Sequence, residues 1–252
     1  MSFSVPGDAY DRFMGRWSGP LSQEFVALVA PRPGQRVLDV GCGTGMLTAA
    51  LVAQLGSAAV TAVDPSEPFV ATTHARLPDV EVRTANAEDL PFGDDTFDLA
   101  LAQLVVQFMD DPVGGLRELA RVTRPGGIVA ASIWDHAGER GPLSPFWQAV
   151  NELYANAEDE SNRAGTRAGH LAELFVAAGI EDVEQSELTV RLSFADFADW
   201  WEPFTLGVGP AGAYFAGLDE TGRQQLRTRC AECLPSGQFD LDAVAWVAMG
   251  RV

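Results

Sequence analysis

Residues 36–45 read Arg-Val-Leu-Asp-Val-Gly-Cys-Gly-Thr-Gly. Val37, Leu38 and Val40 form a short apolar run rich in β-branched residues, with Asp39 as its one charge. That pattern predicts a buried strand. The run breaks at Gly41, Gly43 and Gly45, and an apolar segment at helical spacing follows from Met46 to Leu55. Strand, glycine turn, helix is the opening unit of a ligand-binding α/β domain. Glycines let the backbone come close to a ligand, and the helix N-terminus adds free N–H groups with a partial positive charge.

The spacing sorts the ligands such a loop can take. A phosphate-binding Walker loop needs Gly-Lys-Ser/Thr, and this chain contains no Lys. A dinucleotide loop prefers G-x-G-x-x-G; here the third glycine comes one residue early and Met46 stands in its place. Neither a Ser/Tyr/Lys set nor that fingerprint supports a nicotinamide-dependent reductase. An acidic strand followed by G-x-G-x-G resembles motif I of the class I S-adenosylmethionine (SAM)-dependent methyltransferases. The resemblance places Asp39, Gly41, Cys42 and Gly43 beside the cofactor.

Downstream segments extend it. Ala59–Val63 predicts a second strand ending at Asp64, nineteen residues after Gly45. A carboxylate at that strand tip can accept both ribose hydroxyl protons of an adenosine, and Asp64-Pro65-Ser66 also starts a helix. Val80–Thr84 predicts a third strand, running into Asn86-Ala87-Glu88-Asp89-Leu90-Pro91-Phe92. This stretch is similar to the adenine-binding segment of the quinone-biosynthesis methyltransferases. The likeness implies that Asn86 or Glu88 meets the adenine amino group and that the Ala87 region supplies a backbone contact. Phe97–Leu104 predicts a fourth buried strand and resembles motif IV, with Gln103 at its C-terminal end bordering the methionine part of the cofactor. Asp110-Asp111-Pro112 should cap the next helix, Arg124–Gly127 a type II turn, and Ile128–Trp134 the fifth strand.

The rest of the chain is less explicit. Residues 1–35 read as an arm and a helix beginning near Ser18, with Pro20 in its first turn. In the family such an arm often lies over the cofactor, which makes Tyr10 and Arg16 candidates for the methionine carboxylate; the alternative is a surface arm packed by its aromatics. Residues 36–136 form the SAM-binding core. Residues 137–252 should complete the sheet with a sixth strand (Val183–Leu192) and a seventh (around Ala243–Met249). A polar, flexible stretch is expected over 156–168. Trp200, Trp201 and Phe204, followed by a glycine-rich segment over 207–212, suggest an aromatic cover over the site, and with Trp134 they are the candidate substrate contacts. The expected fold is therefore α/β: a Rossmann-like, seven-stranded, mostly parallel sheet with helices on both faces and a helical, aromatic cover.

SAM carries an electrophilic methyl, so such an enzyme mainly orients a nucleophile and excludes water. A general base is needed only where the acceptor must lose a proton. His136, just past strand five, is the candidate; Asp135 and His170 are weaker ones. The expected activity is methyl transfer from SAM, leaving S-adenosylhomocysteine, to a small apolar or aromatic metabolite. A SAM-binding sensor or partner subunit without turnover is the alternative.

Composition bounds the partners. The 252 residues are 47% hydrophobic and carry a formal charge of −18, a surface that repels phosphate backbones. Nucleic acid is not expected as a partner. No apolar run approaches the ~18 residues that span a bilayer, and the first residues lack the pattern of a signal peptide, so a cytoplasmic protein is expected. A homodimer stays open. Cys230 and Cys233 form a lone C-x-x-C without further ligands at zinc spacing, so no metal is expected.

Overall fold

The computed structural model describes residues 7–154, 157 and 159–252. The Val37–Val40 run is strand β1, buried at every position. Its alternation sends Val37 to one face of the sheet and Leu38 and Val40 to the other. Around it lie β2 (Val60–Asp64), β3 (Glu81–Thr84), β4 (Phe97–Gln103), β5 (Thr123–Trp134), β6 (Glu181–Phe194) and β7 (Phe239–Arg251). The order across the single sheet is β3-β2-β1-β4-β5-β7-β6. The first five strands are parallel, and β7 runs antiparallel to both β5 and β6. Chain direction across the sheet reverses between β1 and β4, which opens a crevice at their C-terminal ends.

The helices in chain order are α1 (Gly7–Tyr10), α2 (Arg16–Val29), α3 (Met46–Leu55), α4 (Glu67–Arg76), α5 (Pro112–Val122), α6 (Ser144–Leu153), α7 (His170–Ala177), α8 (Phe197–Trp201), α9 (Gly209–Gly217) and α10 (Glu220–Cys233). Phe25 and Val29 of α2 and Leu47 and Leu51 of α3 cover one face of the sheet. Leu116 and Leu119 of α5 and Leu171 and Phe175 of α7 cover the other. A third cluster, built from α6, α8, α9, α10 and the arm, closes over the end of β5 and the β6–β7 hairpin.

Three expectations need correction. The first helix does not begin at Ser18: α1 passes through a π-helical turn, Asp11–Gly15, directly into α2. Pro20 therefore sits inside the helix, where it has no N–H to donate. The expected flexible stretch over 156–168 falls partly on residues outside those described. In the remainder Thr166 is fully buried, and its Oγ1 donates to the carbonyls of Ser161 (2.7 Å) and Arg163 (2.8 Å), so this part is a packed turn. The residues 124–127 turn lies within β5, with Gly126 at φ +76° as the third position of a type II turn requires. It inserts residues between the Phe97–Thr123 and Leu99–Ile128 pairs of the ladder.

Candidate functional site

The glycine loop after β1 is held from below by β2. The N–H groups of Gly41 and Cys42 both donate to the Val63 carbonyl, at 2.8 and 2.9 Å. Gly41 has φ +73°, and a Cβ there would overlap the Val105 side chain. Gly43 has φ +55° with no atom within 4 Å of where a Cβ would stand, which leaves its backbone open on that side. Asp64, at the tip of β2, accepts from the Gly43 N–H (2.9 Å) and the Ser66 N–H (2.8 Å). Burial raises its pKa, against the pull of those two bonds.

These residues line a cleft of about 840 Å³ over the C-terminal ends of β1, β2 and β4. The cleft collects Tyr10, Gly41, Gly43, Asp64, Pro65, Asn86, Ala87, Glu88 and Gln103. Asp39 and Cys42 lie in a small recess beneath it, with Ser18 and again Gln103. Gln103 Nε2 donates to the Ser18 carbonyl (3.1 Å) and Ser22 Oγ (2.9 Å), while its Oε1 and Ser18 Oγ are buried without a partner. Asp39 Oδ2 accepts from Thr48 Oγ1 at 2.6 Å, and burial pushes its pKa up to about 7. Burial likewise pushes the Cys42 thiol upward. Glu88 holds the chain before α5, its Oε1 accepting from the Asp110 (2.9 Å) and Asp111 (3.4 Å) N–H groups.

The arm reaches the cleft through Tyr10, whose ring packs on Phe69 at 5.2 Å. Burial raises the Tyr10 pKa. Asp11 fastens the arm, accepting from Thr44 Oγ1 and from Arg76, both at 2.5 Å. Arg16 is placed elsewhere. Its guanidinium pairs with Asp199 (2.9 Å) and lies over the Phe194 ring, 4.7 Å from the centroid. Among the described residues that line the cleft and recess, none is basic.

A chamber of about 40 Å³ adjoins the cleft, sharing Tyr10, Leu104 and Phe108 with it. His136 and Trp134 line this chamber, with Gln107, Glu160 and the Val208-Gly209-Pro210 segment. Burial lowers the His136 pKa, while the charges of Glu160, Asp159 and Asp135 pull it back up and Arg163 adds to the lowering. Asp135 is engaged, accepting from the Gly138 N–H (2.8 Å) and Arg140 Nε (2.6 Å). His170 stands apart at the start of α7, its Nδ1 accepting from the Gly165 N–H at 3.2 Å.

Trp200, Trp201 and Phe204 line neither cleft nor chamber. They are packed into the third cluster, where Phe204 stacks on Phe146 at 4.7 Å and Trp201 meets Phe215 edge-on at 5.3 Å. Of the expected cover, the glycine segment reaches the site and the aromatics form the core beneath it. Cys230 is buried in the same cluster, and Cys233 is exposed.

Several residues escaped sequence reasoning. Leu104 borders cleft, recess and chamber with φ +63°, a backbone state that costs a branched residue energy and clusters at functional sites. No sequence pattern announces it. Glu160 lies in a stretch read as flexible, and Gln107 follows a strand already assigned.

A family model described as a methyltransferase domain matches residues 38–131. The chain is 35% identical over 153 residues to a malonyl-(acyl-carrier protein) O-methyltransferase of Pectobacterium atrosepticum, covering 60% of this chain and 58% of that one. It is 32% identical over 176 residues to a ubiquinone biosynthesis O-methyltransferase of Rhizobium johnstonii, covering 68% of each. The matched part thus spans between about half and two thirds of the length of such curated relatives. The phosphoethanolamine N-methyltransferase 2 of Haemonchus contortus, solved with S-adenosyl-L-methionine, shares the fold with a TM-score of 0.60 at 16% identity, over 97% of this chain and 56% of that one. With its motif I loop, its strand order and these relatives, the chain belongs to the class I SAM-dependent methyltransferases.

Proposed function

We propose that this protein transfers the methyl group of SAM to a small molecule whose reacting group enters the chamber beside His136. The observation that carries the reading is the charge of the cleft. Its lining includes Asp64, Glu67, Glu88, Asp89, Asp110 and Asp111 and, among the described residues, no basic side chain. An acceptor-rich, electronegative cleft suits a ligand that presents ribose hydroxyls, an ammonium and a sulfonium. It does not suit the diphosphate of a dinucleotide.

The residues present fit that group. Asp64 offers its carboxylate to the ribose hydroxyls. The orphaned Gln103 Oε1 and Ser18 Oγ stand where an ammonium would complete them. Asn86 and Ala87 border the cleft on the adenine side, and the open side of the Gly43 backbone permits close approach. When bound, SAM supplies a methyl already activated as an electrophile. Tyr10, Phe108 and Leu104 exclude water between cleft and chamber. A neutral His136 would take the proton of an acceptor O–H or N–H, a lone pair of that atom would make the bond to the methyl, and the carbon–sulfur pair would stay on sulfur, leaving S-adenosylhomocysteine.

Calorimetric titration with S-adenosylhomocysteine and with NADH, on the wild type and on Asp64→Ala, tests the reading. Binding of the homocysteine compound alone, weakened by the substitution, supports it. Binding of NADH instead, or indifference to Asp64→Ala, overturns it.

A further inference from the structure

The chamber behind Leu104 contains polar atoms that the fold leaves without partners. Gln107 is 6% exposed and Trp134 2%; both line the chamber, and Gln107 Oε1 and Trp134 Nε1 are buried with no hydrogen-bond partner. Buried polar atoms are ordinarily satisfied. One orphaned acceptor and one orphaned donor, on two residues that line one small cavity, are a pair that a ligand can complete by a small side-chain adjustment. Glu160, 4% exposed, stands on the same wall, its Oε2 accepting from Trp147 Nε1 at 3.4 Å. Beside Tyr10 and His136 the remaining surface is apolar, with Phe13, Leu143 and Val208, and among the described residues no Arg lines it.

We infer that this chamber selects the head group of the methyl acceptor as an uncharged group that both donates and accepts hydrogen bonds, a hydroxyl or an unprotonated amine, and rejects a carboxylate. The inference rests on the reading of the adjoining cleft as the donor site. A hydroxyl can give its proton to Gln107 Oε1 or His136 and accept from Trp134 Nε1. A carboxylate has no proton to give, so Gln107 Oε1 stays unpaired, and its charge meets Glu160 across an apolar wall where repulsion is poorly screened. The volume of about 40 Å³ holds a head group of a few atoms, and the body of the molecule remains in the cleft.

Ligand-observed NMR and calorimetry with benzyl alcohol, aniline and benzoate, which share one ring, test this on the full chain with and without S-adenosylhomocysteine. Benzyl alcohol and aniline should bind at least tenfold tighter than benzoate. Gln107→Leu and Trp134→Phe should each weaken benzyl alcohol about fivefold, and Glu160→Gln should raise benzoate affinity about tenfold. Circular dichroism and a thermal melt report whether each variant folds, and the volume-conserving Gln107→Leu stands if Trp134→Phe does not. Equal binding of benzoate and benzyl alcohol, no binding of any probe, or indifference of benzyl alcohol to Gln107→Leu overturns the inference. Titration of S-adenosylhomocysteine alone reports the donor site separately. Loss of that binding with the alcohol preference intact removes the cofactor reading and not the chamber.

Discussion

Asp64 Oδ2 accepts the Gly43 N–H at 2.9 Å, so the carboxylate at the tip of β2 is tied to the middle of the glycine loop. Its other oxygen holds the Ser66 N–H before α4. One side chain thus shapes the loop and faces the cleft. Asp64→Ala should weaken S-adenosylhomocysteine at least tenfold (~1.4 kcal/mol) and lower the melting temperature as well. Asp64→Asn, which keeps one acceptor oxygen, should fall between the two. Calorimetry and a thermal melt on the same samples check both effects.

Asp39 gives stability a pH dependence. Its folded pKa of about 7 stands above an unfolded value of about 4, so the folded chain retains this proton while the unfolded chain loses it. The stability it contributes is full below about pH 4 and is lost as pH rises through 7. Asp39→Asn removes that loss. Its stability relative to wild type should grow between pH 5 and pH 8 by an amount on the order of 1–3 kcal/mol, read by urea unfolding at each pH. A difference that stays constant across the range would count against the assignment.

His136 should titrate below its usual 6.5, because burial outweighs the opposing charges of Glu160, Asp159 and Asp135. As a proton acceptor it would then stay neutral to lower pH than a free imidazole, and the acid limb of kcat/KM should be displaced downward in the same direction. His136→Gln should lower kcat about 10²–10⁴-fold, abolish that acid limb and leave S-adenosylhomocysteine affinity unchanged. An imidazole resonance followed by NMR gives the pKa directly.

Trp201 separates core from site. It is buried among Phe146, Phe197, Phe204 and Phe215. Trp201→Ala should destabilise the chain by about 3–5 kcal/mol and shift S-adenosylhomocysteine affinity by less than twofold. A large loss of affinity with little loss of stability would return Trp201 to the site.

The arm should govern cofactor exchange. Asp11 joins it to Thr44 and Arg76. Those groups are partly exposed, so Asp11→Ala should change stability by no more than about 1 kcal/mol. Dissociation of S-adenosylhomocysteine in stopped flow should nonetheless quicken several-fold.

Local signals carried the parallel half of the fold. Val37–Val40, the three glycines, Asp64 and the Asp111-Pro112 cap each stand within a few residues of what they specify, and all were legible. Strands six and seven were recognisable but too short as read, because their ends, such as the Phe194–Phe239 pair, are fixed by partners far away in the chain. Arg16 illustrates the limit for the site. Its charge invites a carboxylate, but which carboxylate depends on where α8 packs, and Asp199 arrives from 183 residues away. Trp200 and Trp201 were visible as aromatic mass; whether such mass lines a cavity or fills one is decided by Phe146 and Phe215, which no local pattern connects to them. Leu104 and Glu160 had no signal, since neither a left-handed backbone nor the burial of a charge is written in neighbouring residues.

The outer strand β6 has a bearing on how copies of this protein meet. It forms one margin of the sheet, and along it stand Glu181, Asp182 and Glu184. Open strand margins invite pairing between molecules, and inserted charge is a natural defence. Two such margins brought edge to edge would set rows of carboxylates against each other, so continuous sheets between copies are held off by repulsion at neutral pH. The defence is electrostatic and therefore short in reach: salt that screens the row should worsen colloidal behaviour.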